Sequence, residues 1–129
     1  MKHCLIVDDS SSIRKVARRI LEDANIRTSE ADSRADAIDM CRSEMPDCVV
    51  VDWIMPDGDA MKFLTKLRAL PGGAQPTVFY LTSEYDEANV ARATRSGADA
   101  HIMKPFDRES FMKPLADAGL SRFGAKLGD

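Results

Sequence analysis

Five side chains with charged or reactive groups each follow a short apolar run in the sequence. Asp8 and Asp9 come directly after the first run, and Asp52 follows a second. Thr82 and Lys104 follow two more. Three carboxylates, a hydroxyl and an ammonium can together hold a metal ion and a phosphoryl group, provided that the fold brings them to one place.

Three carboxylates that converge on one place repel one another. Two such charges 4 Å apart cost about 4 kcal/mol at an effective dielectric constant of 20. A divalent cation removes that cost, and Mg²⁺ suits such oxygen ligands because it keeps part of its water shell and accepts phosphoryl oxygens. The ammonium of Lys104 and the hydroxyl of Thr82 can then bond the phosphoryl oxygens. The set therefore indicates phosphoryl transfer to an aspartate.

The apolar runs have the length of strands buried on both faces, as in a parallel sheet. Four are clear, and a fifth has the Thr, Ser and Glu content of an edge strand: residues 4–7, 48–51, 78–81, 100–103 and, for the edge, 27–31. Apolar residues at helical spacing fill the segments between them. The chain therefore reads as five strand–helix units.

Capping residues predict where several helices begin and end. Ser33 can cap the second helix. The fourth is expected over residues 84–96, with Gly97 as its C-terminal cap. The fifth is expected over residues 107–118, where Pro114 should kink or shorten it.

Right-handed crossovers turn this alternation into a flavodoxin-like, doubly wound α/β fold. The expected architecture is a (βα)5 three-layer sandwich whose parallel strands follow the order 2-1-3-4-5. Ligands of such folds bind beyond the carboxyl ends of strands 1 and 3, where the order reverses. Strands 1, 3, 4 and 5 are neighbours in this order, so we expect the five reactive side chains at one edge of the sheet.

Length and composition exclude several classes of protein. A chain of 129 residues fits one domain of about 100–150 residues. Its 44% hydrophobic and 30% charged residues argue against disorder, collagen and a membrane protein. A net charge of −3 does not indicate the basic surface that binds nucleic acid. We expect a cytoplasmic protein without signal peptide or membrane span, with a domain over residues 1–120 and a flexible tail over residues 121–129.

Four segments resemble the receiver domain of two-component response regulators, in its single-domain form. The matching segments are Leu5-Ile6-Val7-Asp8-Asp9-Ser10, Val51-Asp52-Trp53-Ile54-Met55-Pro56, Leu81-Thr82-Ser83, and Gly97-Ala98-Asp99-Ala100 followed by Lys104-Pro105-Phe106. The resemblance covers about residues 2–118. Each motif alone is modest, but four in this order and spacing are highly specific.

The resemblance implies a role for each matching residue of the site. Asp52 would accept a phosphoryl group from a histidine kinase or a histidine phosphotransfer protein. Asp9 and Asp52 would bind Mg²⁺ directly, Asp8 would act through water, and Ile54 would contribute its backbone carbonyl. Lys104 would contact the phosphoryl group, and the peptide between it and the following proline is expected to be cis.

The resemblance also implies a switch. Thr82 would move to bond the phosphoryl oxygen, and the residue three before Lys104 would turn inward. That residue is usually Tyr or Phe in the family and is His101 here. The face formed by helix 4, strand 5 and helix 5 would then change shape and bind a downstream target protein. The chain would be a signalling switch rather than an enzyme, a monomer or a weak phosphorylation-dependent dimer, and would bind neither nucleic acid nor membrane.

The loop after Asp52 departs from the family pattern. Receivers usually carry two variable residues and then Asp-Gly after the Met-Pro pair, whereas this chain continues with Asp57-Gly58-Asp59-Ala60. Gly58 can supply the backbone freedom that a glycine at position 60 would give.

Other classes share the fold or the chemistry. An FMN-binding electron carrier is disfavoured because Asp8 and Asp9 would repel the FMN phosphate. A hydrolase with an aspartyl-phosphate intermediate typically has a second Asp two residues after the nucleophile, where this chain has Ile54. A receiver-fold scaffold, or a cyclic-dinucleotide effector that uses the arginines of helices 1 and 4 without phosphorylation, stays open as an alternative.

Overall fold

A parallel sheet of five strands runs through the middle of the molecule in the order β2-β1-β3-β4-β5. The computed structural model describes residues 2–119. Its elements are β1 (His3–Val7), α1 (Ser11–Asp23), β2 (Arg27–Ala31), α2 (Arg34–Ser43), β3 (Cys48–Asp52), α3 (Ala60–Ala69), β4 (Thr77–Thr82), α4 (Glu87–Ser96), β5 (Ala100–Met103) and α5 (Arg108–Asp117). The predicted fold class and strand order are confirmed, whereas the predicted tail over residues 121–129 lies outside the described residues.

Two apolar clusters, one on each face of the sheet, form the core. Successive strand residues point to opposite faces. Val7 and Val51 therefore pack beneath α2, α3 and α4, while Ile6 and Val50 pack beneath α1 and α5. All four are buried, and burying such a side chain stabilises the fold by about 1.5–3 kcal/mol. These clusters produce the three layers.

Polar side chains and glycine set the ends of the helices. Ser33 caps α2 by accepting the N–H of Asp36, as predicted. Helix α4 begins at Glu87 rather than at residue 84, because the side chain of Asp86 accepts two N–H groups of its first turn. Gly97 ends α4 with a φ of 121°, in the left-handed region that glycine favours.

The last helix keeps its regular structure through a proline. Helix α5 is capped by Asp107 and runs through Pro114 to Asp117. Among residues 2–119, none of the helices has both the length and the apolar character that crossing a membrane requires.

The strand register brings the carboxyl ends of the strands to one level. Val7 of β1 lies beside Val51 of β3, and Thr82 of β4 lies beside Met103 of β5. The next residues along these strands therefore emerge together at one edge. This edge includes the point between β1 and β3 where the strand order reverses, which is where ligands of doubly wound folds bind.

Candidate functional site

Three carboxylates meet where β1 and β3 end. One carboxylate oxygen from each of Asp8, Asp9 and Asp52 lies within 4.8 Å of the other two. Asp8 and Asp52 are buried, and Asp9 is exposed. The structure thus brings together the three acids that the sequence singled out, two at the floor of the cluster and one at its rim.

Lys104 reaches into this cluster from the end of β5. Its Nζ atom lies 3.3 Å from Oδ2 of Asp8 and 3.3 Å from Oδ1 of Asp52. The backbone N–H of Lys104 donates to the carbonyl of Thr82, which ties the start of the next loop to β4. The peptide between Lys104 and Pro105 is cis, as expected.

The environment of Asp52 works against its charged form. Burial is the largest effect and raises the pKa of the Asp52 carboxyl, and the nearby carboxylate of Asp8 raises it further. The charge and hydrogen bond of Lys104, and the N–H of Ile54, lower this pKa in part. Asp52 is therefore a destabilised carboxylate that gains from any further cation placed beside it.

The donor set fits a small hard cation. The three carboxylates offer oxygen ligands only, which Mg²⁺ prefers. Oδ2 of Asp8 is buried and accepts no hydrogen bond, although it forms the ion pair with Lys104. The other oxygen of Asp8 accepts the N–H of Ser10 at 2.9 Å, so the side chain is held with Oδ2 towards the cluster. Ile54 follows at the exposed rim, with 71% of its surface accessible.

Thr82 stands at the same edge but bonds its own loop. Its hydroxyl donates to the carbonyl of Glu84 at 2.9 Å and accepts the N–H of Glu84 at 3.2 Å. The hydroxyl group therefore bonds the start of the β4–α4 loop in this structure, and movement towards the acids would break these contacts.

His101 belongs to a row of aromatic rings on the face of the sheet beneath α4. It pairs with Tyr80 in the strand register, and Tyr80 shares its face with Thr82 because strand side chains alternate. The ring of His101 lies 5.8 Å from that of Tyr80 and 5.6 Å from that of Tyr85. Tyr80 in turn contacts Trp53 at 4.7 Å. The row thus connects the residue after Asp52 with the surface near α4.

Arg34 is a residue of this site that the sequence reasoning missed. It is only 4% exposed, and its Nη2 atom donates to the carbonyls of Asp52 and Trp53. Burial lowers the pKa of its guanidinium, which Asp57 and then Asp52 raise in part. One sequence signal existed: a cation in the first turn of a helix opposes the helix dipole, which indicates that Arg34 has an acidic partner nearby.

Two of the three arginines of α1, Arg14 and Arg18, are engaged within the chain. Arg14 forms an ion pair of 2.9 Å with Glu30 of β2, and Arg18 forms one of 2.8 Å with the same carboxylate. Arg14 also donates to the carbonyl of Asp8. These contacts weigh against Arg14 and Arg18 as ligands of an anionic cyclic dinucleotide.

A doubly wound sheet with an acid cluster and a lysine at its switch point defines a receiver-type signalling domain. The family model described as the response regulator receiver domain matches residues 4–116. The chain belongs to that family.

Individual relatives agree with this assignment. The chain is 33% identical over 116 residues to the chemotaxis protein CheY of Halobacterium salinarum, covering 90% of this chain and 95% of that protein. It is 29% identical over 105 residues to the phosphate regulon transcriptional regulatory protein PhoB of Escherichia coli, covering 81% of this chain but 46% of PhoB. The structure of the chemotaxis response regulator CheY4 of Vibrio cholerae matches with a TM-score of 0.86 at 26% identity, covering 91% of this chain and 98% of that one. The chain is thus a receiver domain of the CheY type.

Proposed function

We propose that this chain is a stand-alone response regulator whose Asp52 accepts a phosphoryl group in a Mg²⁺-dependent reaction. The phosphodonor is a histidine kinase or a histidine phosphotransfer protein, in chemotaxis or in a phosphorelay. The observation that carries the proposal is the position of Lys104, whose ammonium lies 3.3 Å from both Asp8 and Asp52 inside an acid cluster. An ammonium and a cation site on either side of one carboxylate suit a phosphoryl group bonded to it.

The residues divide the reaction among them. A carboxylate oxygen of Asp52 attacks phosphorus, the bond from phosphorus to the donor nitrogen breaks, and the released imidazole takes up a proton. Mg²⁺, held by Asp8, Asp9, Asp52 and the carbonyl of Ile54, would neutralise the negative charge of the carboxylates and the phosphoryl oxygens. Lys104 exchanges its bond to Asp52 for one to a phosphoryl oxygen.

The output is a change of the surface formed by α4, β5 and α5. A phosphoryl group adds about −1.5 to −2 charges and new acceptor oxygens. The hydroxyl of Thr82 leaves Glu84 for one of these oxygens, and His101 moves inward into the space beside Tyr80. Tyr85 and Met103, which are 59% and 38% exposed at this surface, supply apolar area for a target protein.

The extent of the domain and its assembly belong to the same proposal. We propose residues 1–120 as the receiver domain, acting as a monomer or a weak phosphorylation-dependent dimer. Location in the cytoplasm and the lack of an enzymatic activity beyond the protein's own phosphorylation and dephosphorylation stay predictions.

Labelling with a small-molecule phosphodonor tests the proposal directly. The wild-type protein should take up one phosphoryl group with Mg²⁺ and none with excess chelator, and Asp52→Asn should take up none. Asp32→Asn is the matched control, because Asp32 also follows a strand at this edge but is not among the three clustered acids. Equal labelling of Asp52→Asn and wild type would reject the site. No labelling of the wild type would favour the scaffold alternative.

A further inference from the structure

We propose that Arg34 is a positioning residue: its guanidinium orients the peptide between Trp53 and Ile54 so that this peptide holds the Asp52 carboxylate for phosphorylation. The inference rests on the proposed function of Asp52. It concerns a residue outside the acid cluster that acts through the backbone.

Arg34 binds the loop that follows β3 at several points. Its Nη2 atom donates to the carbonyl of Asp52 at 3.0 Å and to that of Trp53 at 2.9 Å. Its Nη1 atom donates to the carbonyl of Gly58 at 2.6 Å and lies 3.5 Å from Oδ1 of Asp57. One buried side chain therefore bonds both ends of the segment from residue 52 to residue 58.

The peptide between Trp53 and Ile54 carries the effect to the carboxylate. In a trans peptide the C=O and the N–H lie in one rigid plane and point in opposite directions. The C=O of this peptide accepts from Arg34, and its N–H, that of Ile54, donates to Oδ1 of Asp52 at 3.4 Å. Lys104 lies 3.3 Å from the same oxygen. Asp52 Oδ1 thus has two donors: the N–H of Ile54, whose direction Arg34 fixes, and the ammonium of Lys104.

An arginine is the residue that can do this. The planar guanidinium presents five N–H donors in a fixed fork, whereas a lysine ammonium has three on a flexible stem. A charge buried to this degree is tolerated only when it is paired and hydrogen-bonded. Asp57 supplies the countercharge and also accepts the backbone N–H of Arg34. Gly58, with a φ of 120°, lets the loop turn so that its carbonyl reaches the guanidinium.

A second arginine provides a matched control. Arg68 also donates to three backbone carbonyls, those of Gly73, Pro76 and Gly97, and forms an ion pair with Asp99. These residues lie near the amino ends of β4 and β5, at the opposite edge of the sheet from Asp52. Arg68 therefore bonds loop carbonyls as Arg34 does, but these loops do not belong to the acid cluster.

The experiment compares Arg34→Lys with Arg68→Lys in the full chain. Three readouts report on the site: the amide proton shift of Ile54 by NMR, the Mg²⁺ dissociation constant from Trp53 fluorescence, and the rate of labelling by a small-molecule phosphodonor at saturating Mg²⁺. Both variants should unfold at a lower temperature than the wild type. Only Arg34→Lys should move the Ile54 amide upfield. It should also weaken Mg²⁺ binding by about 10-fold and slow labelling by about 10-fold, as substitutions of residues that orient a metal ligand do.

Each outcome decides one question. If Arg34→Lys lowers the unfolding temperature but leaves all three site readouts as in Arg68→Lys, Arg34 only holds the fold together and the inference is wrong. If Arg34→Lys does not fold, Asp57→Asn replaces it. Asp57 is an exposed residue, so its substitution loosens the guanidinium without a change in the core, and it should shift the same readouts less. If the wild type binds no Mg²⁺ and accepts no phosphoryl group, the proposed function fails, while the Ile54 amide still reports whether Arg34 orients the peptide.

Discussion

Lys104 and Asp52 form an ion pair of 3.3 Å across the carboxyl ends of β5 and β3. The pair opposes the two influences that raise the pKa of Asp52, which are its burial and the carboxylate of Asp8. Lys104 therefore has a role before any phosphoryl group arrives: it keeps a buried carboxylate available as a nucleophile.

Replacing Lys104 by methionine should raise the pKa of Asp52 further, because burial and Asp8 would then act without the opposing ammonium. Carbon-13 NMR of the labelled aspartates, recorded against pH without Mg²⁺, measures this pKa. Lys113→Met is the matched control, since Lys113 pairs with Asp117 on the exposed surface of α5. An unchanged Asp52 titration in Lys104→Met would mean that the ion pair does not influence this carboxyl.

The raised pKa of Asp52 also predicts how stability depends on pH. Between the ordinary pKa of 3.8 and the raised one, the folded protein binds more protons than the unfolded chain, so the free energy of unfolding falls as pH rises. Above the raised pKa the buried Asp52 is fully charged, and its charge then lowers the free energy of unfolding by the full amount. Asp52→Asn should therefore be more stable than the wild type at neutral pH, with an advantage that shrinks on acidification and is lost below about pH 3.8.

Urea unfolding at a series of pH values measures that difference. Adding Mg²⁺ should stabilise the wild type more than Asp52→Asn, because the ion binds the folded state with all three carboxylates in place. An advantage of Asp52→Asn that is independent of pH would show that lost charge is not its cause.

Much of this site could be predicted because its parts are local. Buried parallel strands are continuous apolar runs, so β1, β3 and β4 were recognisable, and the residues that end them had to meet at one edge. The partners of Arg34 could not be predicted, because they come from the loop after β3 and only tertiary packing brings that loop to the start of α2. The sequence does not determine the start of α4, because residues 83–86 offer several capping groups and the path of the loop selects Asp86.

Asp9 should be the acid whose loss weakens Mg²⁺ binding with the least effect on the fold. It is exposed, whereas Asp8 and Asp52 are buried. Asp9→Asn removes one charged ligand and should raise the Mg²⁺ dissociation constant by about 10-fold or more, which corresponds to about 1.4 kcal/mol. Titrations that follow Trp53 fluorescence give the constant, and Asp32→Asn should bind as tightly as the wild type. Equal affinity in Asp9→Asn would remove Asp9 from the ligand set.

Thr82 separates phosphorylation from signalling in our proposal. Its hydroxyl bonds the backbone of Glu84 rather than the acid cluster. Thr82→Ala should therefore keep the Mg²⁺ affinity and the labelling rate within about twofold of the wild type, and should lose about 0.5–1.5 kcal/mol of stability with the hydrogen bonds. What it should lose mainly is the response to the phosphoryl group, because alanine offers nothing that the new oxygens can attract.

Amide spectra with and without a beryllium fluoride phosphoryl mimic measure that response. In the wild type, binding of the mimic should shift the amides of His101 and Tyr85, which lie beside one another on the α4 side of the sheet. In Thr82→Ala the mimic should still shift Trp53, next to Asp52, but should leave His101 and Tyr85 largely unmoved. Thr82→Ser keeps the hydroxyl and should respond as the wild type does. A full response of His101 in Thr82→Ala would mean that the signal reaches β5 without Thr82. The ring contact between Trp53 and Tyr80 offers such a route.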